Sequence, residues 1–294
     1  MLRKEYLAQI WRIAIPLLIE NTLQTLLGTV DRYFASSIDD SAIAAIGVTE
    51  IVTNLYLAFF ISVNVGISVV IGQNIGKNDM EQVRESVRQG MMLSILLGLL
   101  IGLVSLLFGR KILLFTGCIE EILNFANPYF MAVTVPSVFL SLSLTLSACL
   151  RGAKDTKTPM LFTSICNILN IFLNIIFLKL GFGMFGIGLA TSISRLFLRI
   201  GLLVAIRRKK GGFSIKKYRI NMPVLKEIAT IGLPAGGEKL AMRLGQLGYT
   251  AMLLSLGTEA YVSHTLAATI ENYIYIPIFA FSTTTSILVS ISLG

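Results

Sequence analysis

Apolar stretches of about 20 residues, each long enough to cross roughly 30 Å of hydrocarbon as a helix, succeed one another along almost the whole chain. They predict eight spans, at 10–35, 42–73, 88–109, 127–150, 159–180, 186–206, 224–255 and 260–290, joined by short loops. The short alternating segments of a membrane barrel do not recur. The expected fold class is therefore an all-α polytopic membrane protein. Composition agrees, since 54% of the 294 residues are hydrophobic and 14% charged, too little polar surface to coat a soluble globule. The first span is too long, and its flanks too polar, for a cleaved signal peptide, so it is expected to remain as an anchor.

A net charge of +9 raises nucleic acid as a partner, but the placement of the basic residues argues against it. With the N-terminus in the cytoplasm, the inner segments hold Arg3, Lys4 and Arg12; Lys77, Arg84 and Arg88; Arg151, Lys154 and Lys157; then Arg207, Arg208, Lys209, Lys210, Lys216, Lys217, Arg219 and Lys226. The outer loops hold Arg110 and Lys111, with Arg32 and Lys179 near outer helix ends. Such a bias in short loops orients a multi-pass protein, here expected in the cell membrane. The run from Arg207 to Arg219 could also touch anionic membrane lipid. Cys118, Cys149 and Cys166 form neither a disulfide framework nor a metal spacing. Gly181, Gly183 and Gly186 match GxGxxG, but they fall in a turn between two spans with no βαβ unit around it, and no GxxxxGK[ST] occurs. With no ATP site and no loop large enough for a catalytic domain, the chain reads as a non-enzyme without a cofactor, and any active transport must draw on an ion gradient.

Shifting the sequence against itself by 218 positions lays the seventh span on the first without gaps. Pro16 meets Pro234, Glu20 meets Glu238, Asn54 meets Asn272 and Gly76 meets Gly294. Six spans per repeat is an even number, so two repeats enter the membrane in the same orientation, as in transporters built from parallel halves. The expected organisation is a six-helix lobe over 1–206, a basic cytoplasmic linker over 207–223 and two helices of a second lobe over 224–294. Completing that second lobe would take roughly another 140 residues.

Several polar side chains lie inside these spans. On a helix Glu20, Gln24 and Asp31 fall within about a 40° arc, while Arg32 points about 100° away from Asp31. A carboxylate in hydrocarbon is costly unless it faces protein or water, which makes Asp31 either a functional acid or a residue near the headgroups. In the fifth span Asn167, Asn170 and Asn174 share about a 60° arc. Three amides in one stripe serve either as interhelical packing or, beside a carboxylate, as ligands of a hard monovalent cation or partners of a protonatable carboxyl. In the sixth span Gly188, Ser192, Arg195 and Arg199 share a face, Arg195 being deep enough to pair with an acid or line a wet cavity. Glu238, Lys239, Arg243 and Gln246 cluster in the seventh, where they neutralise one another, and His264 aligns with Glu271 in the eighth.

The order of these features resembles the multidrug and toxic compound extrusion (MATE) family of cation-coupled exporters. Pro16 followed fifteen residues later by Asp31 resembles its bent first helix and acid. Gly72, Gln73, Gly76 and Asp79 look like its loop after the second helix, and Leu150 to Met160 (LRGAKDTKTPM) is similar to its signature after the fourth. Gly232, Leu233 and Pro234 resemble the start of the seventh helix, and Leu256 to Thr265 (LGTEAYVSHT) the approach to the eighth.

The resemblance implies twelve helices in two six-helix lobes around a central cavity, and exchange of H⁺ or Na⁺ for small organic cations by alternating access, a multidrug efflux antiporter that is a monomer when full length. It implies an N-lobe site of Asp31, Asn170, Asn174 and Thr191, with Ser192 as the alternative hydroxyl; Gln24, Glu20 and Asn167 join the candidate ion and substrate ligands from their stripes. Asp31, Asn170 and Asn174 are the implied ligands if the coupling ion is Na⁺. The chain departs from the pattern at Asn174, where some relatives carry an aspartate, leaving one carboxylate at the site. Two other readings stay open: a lipid-linked oligosaccharide flippase of the same superfamily, which Arg195 and the basic loops favour, and a fragment that transports nothing by itself.

Overall fold

The computed structural model describes residues 2–208, 220–255 and 258–294. The helices in chain order are α1 (Leu2–Ser36), α2 (Asp40–Gly76), α3 (Met80–Phe115), α4 (Glu120–Thr134), α5 (Ser137–Gly152), α6 (Lys157–Lys179), α7 (Gly183–Arg208), α8 (Met222–Ser255) and α9 (Thr258–Leu293). Short polar turns delimit them. The Asp39 carboxylate accepts from Ser41 N at 2.7 Å to cap α2, and Asp79 accepts from Gln82 N at 3.0 Å to cap α3, satisfying amides that a helix start leaves without partners. Between α6 and α7, Gly181 and Gly183 adopt φ of +78° and +53°, which other residues enter at a cost. The basic run at 209–219 and the side chain of His264 lie outside the described residues.

The helices follow the expected order of spans with one correction. The fourth span, expected as a single helix over 127–150, is the pair α4 and α5, bent by 49°. Pro136 stands at the break; it has no N–H to give the preceding turn, and its ring crowds the carbonyl four residues back. That missing N–H leaves the Ala132 carbonyl free, and Ser192 Oγ of α7 donates to it at 2.6 Å, while Ser137 Oγ donates to the Thr134 carbonyl. Gly102 of α3 lies under the break, where a Cβ would collide with the Val135 carbonyl. Among the described residues, α1, α2, α3, α6, α7 and the Tyr273–Leu293 part of α9 are each long and apolar enough to cross a membrane, and the α4–α5 pair makes a further span. α8 has the length, at 34 residues, but Glu238, Lys239 and Arg243 divide its apolar run.

The apolar interior forms two main layers. One gathers Ala35, Ile46, Leu113, Phe130 and Ile187 from α1, α2, α3, α4 and α7 near the α1–α2 turn. The other gathers Ile67, Val87, Leu146, Leu202 and Ile228 from α2, α3, α5, α7 and α8 toward the opposite end. A smaller cluster joins Ile13 and Leu17 of α1 to Ala280 and Ile287 of α9.

The 218-residue displacement carries Asp40 onto Thr258, the first residue of α9, and Gly76 onto Gly294, one past its last. Packing follows the same relation, because α1 lies on α9 while α8, which sits on α1 under the shift, lies on α2. Ser62 of α2 donates to the Gly232 carbonyl of α8 at 2.6 Å. Their shifted counterparts, Ala280 and Ala14, are both buried where α9 meets α1. The four helices are thus exchanged in pairs by an approximate two-fold relation.

Candidate functional site

Three helices bring polar side chains to Asp31. It sits on α1 with 2% of its surface exposed. Its Oδ2 accepts from Thr191 Oγ1 of α7 at 2.7 Å and from Tyr129 OH of α4 at 3.1 Å, and its Oδ1 accepts from Asn174 Nδ2 of α6 at 3.2 Å. Asn174 Nδ2 also donates to Asn170 Oδ1 at 3.1 Å, and Asn170 Nδ2 donates to Thr191 Oγ1 at 3.1 Å. The local causes are simple. Asn170 and Asn174 are four residues apart and so stack on one helix face, and the tight α6–α7 turn folds Thr191 back against them. Asn170 and Asn174 are fully buried.

The carboxylate therefore has three donors, all neutral, and no ion pair among the described residues. A buried ionised acid is tolerated only when such bonds replace its water. Asn174 Oδ1 is buried without a hydrogen-bond partner. Hydroxyls turn freely between donating and accepting, so Thr191 and Tyr129 can serve either the ionised or the protonated acid. A Na⁺ in this place would bind Asp31 and the spare amide oxygen of Asn174, with the second lone pair of Asn170 Oδ1 beside them. No group of three or more His, Cys, Asp or Glu side chains gathers anywhere among the described residues.

The structure separates the other expected site residues from this centre. Glu20 lies about 16 Å below Asp31 along α1, where its Oε1 accepts from Arg151 Nη1 of α5 at 3.1 Å and from Gln24 Nε2 at 3.4 Å. One stripe on a helical wheel thus becomes two clusters, because different helices face α1 at the two levels. Asn167 Nδ2 donates to the Leu23 carbonyl at 2.6 Å, tying α6 to α1, and Ser192 Oγ donates to the Ala132 carbonyl of α4 at 2.6 Å. Of the two hydroxyls considered on α7, Thr191 is the one that reaches the acid. Arg195, one turn further along, is half-buried, leaves Nη1 without a partner among the described residues, and forms no ion pair with Asp31.

Three neighbours take roles here that the sequence pattern does not assign them. Tyr129 touches the acid itself. Glu50 of α2 pairs with Arg32, closing the α1–α2 corner one residue beyond Asp31. Arg151, counted only as an orientation signal, holds Glu20. Tyr129 follows Asn127 and Pro128 in a polar start to its span, the one hint available. At α8, Lys239 lies 3.4 Å from Glu238, the expected neutralisation, while Arg243 donates to the uncharged amide of Gln246 at 2.8 Å.

A family model described as MatE matches residues 16–176. A probable multidrug resistance protein NorM of Thermotoga maritima is 31% identical over 295 residues, covering 98% of this chain and 62% of its own length. An uncharacterized transporter YisQ of Bacillus subtilis is 27% identical over 286 residues, covering 95% of this chain and 63% of its own. A solved structure described as the outward-facing conformation of a multidrug resistance MATE family transporter superposes with a TM-score of 0.88 at 25% identity, covering 95% of this chain and 63% of that one. The chain spans less than two thirds of the length of these relatives.

Proposed function

The chain belongs to the MatE family, and from that footing we propose that it forms the first lobe and the opening two helices of the second in an exporter of small organic cations, driven by inward movement of H⁺ or Na⁺. In this reading 1–206 is the N-lobe, 207–223 a cytoplasmic linker and 224–294 part of the second lobe. The protein lies in the cell membrane as a monomer with its N-terminus in the cytoplasm, the orientation that the basic inner segments support. Asp31 is the coupling acid. Charged, it attracts the exported cation; neutralised by the incoming ion, it releases that cation outward.

The observation that carries this reading is the shell of Asp31, a buried carboxylate whose bonds, among the described residues, come from Thr191, Tyr129 and Asn174. A structural ion pair would bring its own cation. This acid is held ready by neutral donors, so its charge is left for a mobile ion to balance. The names of the relatives, a multidrug resistance protein and a transporter, support the substrate class. The test is full-length protein in proteoliposomes under an imposed pH or Na⁺ gradient. Asp31→Asn is expected to abolish gradient-driven uptake of a fluorescent organic cation, and normal uptake by that variant would end the proposal.

Arg195 is the observation that favours a second reading, movement of an anionic lipid-linked headgroup. A half-buried guanidinium with a spare donor suits a phosphate, but the groups around Asp31 are otherwise an acid, amides and hydroxyls. The same liposomes loaded with an anionic amphiphile separate the two readings.

A further inference from the structure

The second polar cluster on α1 has a feature that its role in packing does not explain. Glu20 is fully buried, yet both of its hydrogen bonds fall on Oε1, from Arg151 and from Gln24. Oε2 has no partner. Arg151 reaches Glu20 from α5, a helix that α1 barely touches otherwise, since α1 packs on α6, α9, α2 and α7. Gln24 is exposed and Arg151 retains 16% of its side-chain surface, so the cluster borders open space even though Glu20 itself does not. A buried ion pair built for stability would satisfy both carboxylate oxygens, because an unpartnered buried oxygen is costly.

We propose that Glu20 is a second cation-exchange carboxylate of this lobe, with Arg151 as its resident counter-ion, and that a transported organic cation displaces the guanidinium from Glu20 on its way to Asp31. Arg151 keeps the acid neutralised while no cargo is present, and Oε2 is the oxygen left for the cargo. The inference rests on the reading of the chain as an organic-cation exporter, and it adds a residue on the opposite side of the lobe from the coupling acid.

Exchange and packing predict different signs. Equilibrium binding of tetraphenylphosphonium to the full-length protein, in alkaline buffer that keeps a freed carboxyl ionised, is measured for three variants beside the parent. Glu20→Gln is expected to weaken binding about tenfold, and Arg151→Gln, which removes the competitor, to tighten it by a similar factor. The double variant Glu20→Gln with Arg151→Gln, which leaves no lone buried charge and so keeps the fold testable, is expected to bind as weakly as Glu20→Gln alone. If both single changes weaken binding and the double variant returns to the parent value, the pair is a packing device and the proposal is overturned. If binding follows the expected signs while Asp31→Asn still couples uptake to the gradient, it is the role of Asp31 that fails instead.

Discussion

Gly72 of α2 packs directly against Ser290 of α9, and Ser290 is the residue that Gly72 becomes under the 218-position shift. Four residues on, Gly76 packs against its own counterpart, Gly294. Two equivalent helices that touch at equivalent residues cross on the axis relating them. The approximate two-fold axis that relates α1 and α2 to α8 and α9 therefore runs through this crossing, and the repeat is a property of packing as well as of sequence.

A second close approach on α2, to α8, makes a small residue there sensitive. A Cβ on Gly66 would strike the Ile228 carbonyl of α8, backbone that cannot turn aside. Gly66→Ala is expected to lower thermal stability in detergent by about 1–3 kcal/mol. Gly47→Ala, where nothing lies within 4 Å, is expected to be neutral or stabilising by up to about 1 kcal/mol. Equal melting temperatures for the two variants would mean that α8 is not seated on α2 as described.

How far the sequence foretold this arrangement depends on whether a feature is set along a helix or between helices. Asn170 and Asn174 fall on one face by their spacing, and the hydropathy pattern lays out the spans, so both were legible. The placing of Asp31 and Thr191 beside those amides came from the family resemblance. The contact of Tyr129 with Asp31 was not legible, because it depends on how α4 leans on α7 and α2. The separation of Glu20 from Asp31 was hidden for a related reason, as a helical wheel records direction but not the 16 Å or so of rise that puts it under a different neighbour. The α4–α5 break escaped because hydropathy is blind to the N–H that Pro136 lacks.

Asp39 gives a prediction that needs no gradient. Hydrogen bonds from the backbone N–H and side chain of Ser41 hold its carboxyl below the usual carboxylate range. A folded-state value below the unfolded one stabilises the protein above the unfolded value and is lost as pH falls through the folded one. Asp39→Ala is thus expected to lower the melting temperature at neutral pH, with the gap to the parent closing on acidification. Asp39→Asn keeps an acceptor for Ser41 and should show a smaller gap with little pH dependence. Melting curves across an acid series check both.

Tyr129 separates the shell of Asp31 from residues merely nearby. Removing one hydrogen bond to a buried charged group costs about 1.5–3 kcal/mol, so Tyr129→Phe and Thr191→Val are each expected to reduce gradient-driven transport about tenfold or more at unchanged membrane levels. Ser192→Ala, whose hydroxyl serves the Ala132 carbonyl, is expected to transport normally. Initial rates in proteoliposomes decide it, and a defect in Ser192→Ala equal to that of Thr191→Val would shift the site toward the α4–α7 interface.

Asn174 is where the chemistry of coupling is most open to change. Its Nδ2 now donates both to Asp31 and to Asn170, at 3.2 and 3.1 Å. Asn174→Asp replaces that donor with a second acid, and two carboxylates about 3 Å apart cannot both stay ionised unless a cation or a shared proton intervenes. The substitution also adds a hard oxygen ligand where the parent offers one carboxylate and an amide. The expected outcome is that Na⁺ supports transport by Asn174→Asp at a concentration about tenfold lower than any the parent responds to, with Asn174→Ala showing no such gain. The measurement is the initial rate against Na⁺ concentration at fixed pH. An unchanged Na⁺ response in Asn174→Asp would place this side chain outside the coupling path, because a carboxylate set against Asp31 cannot leave the affinity of a shared cation unaltered.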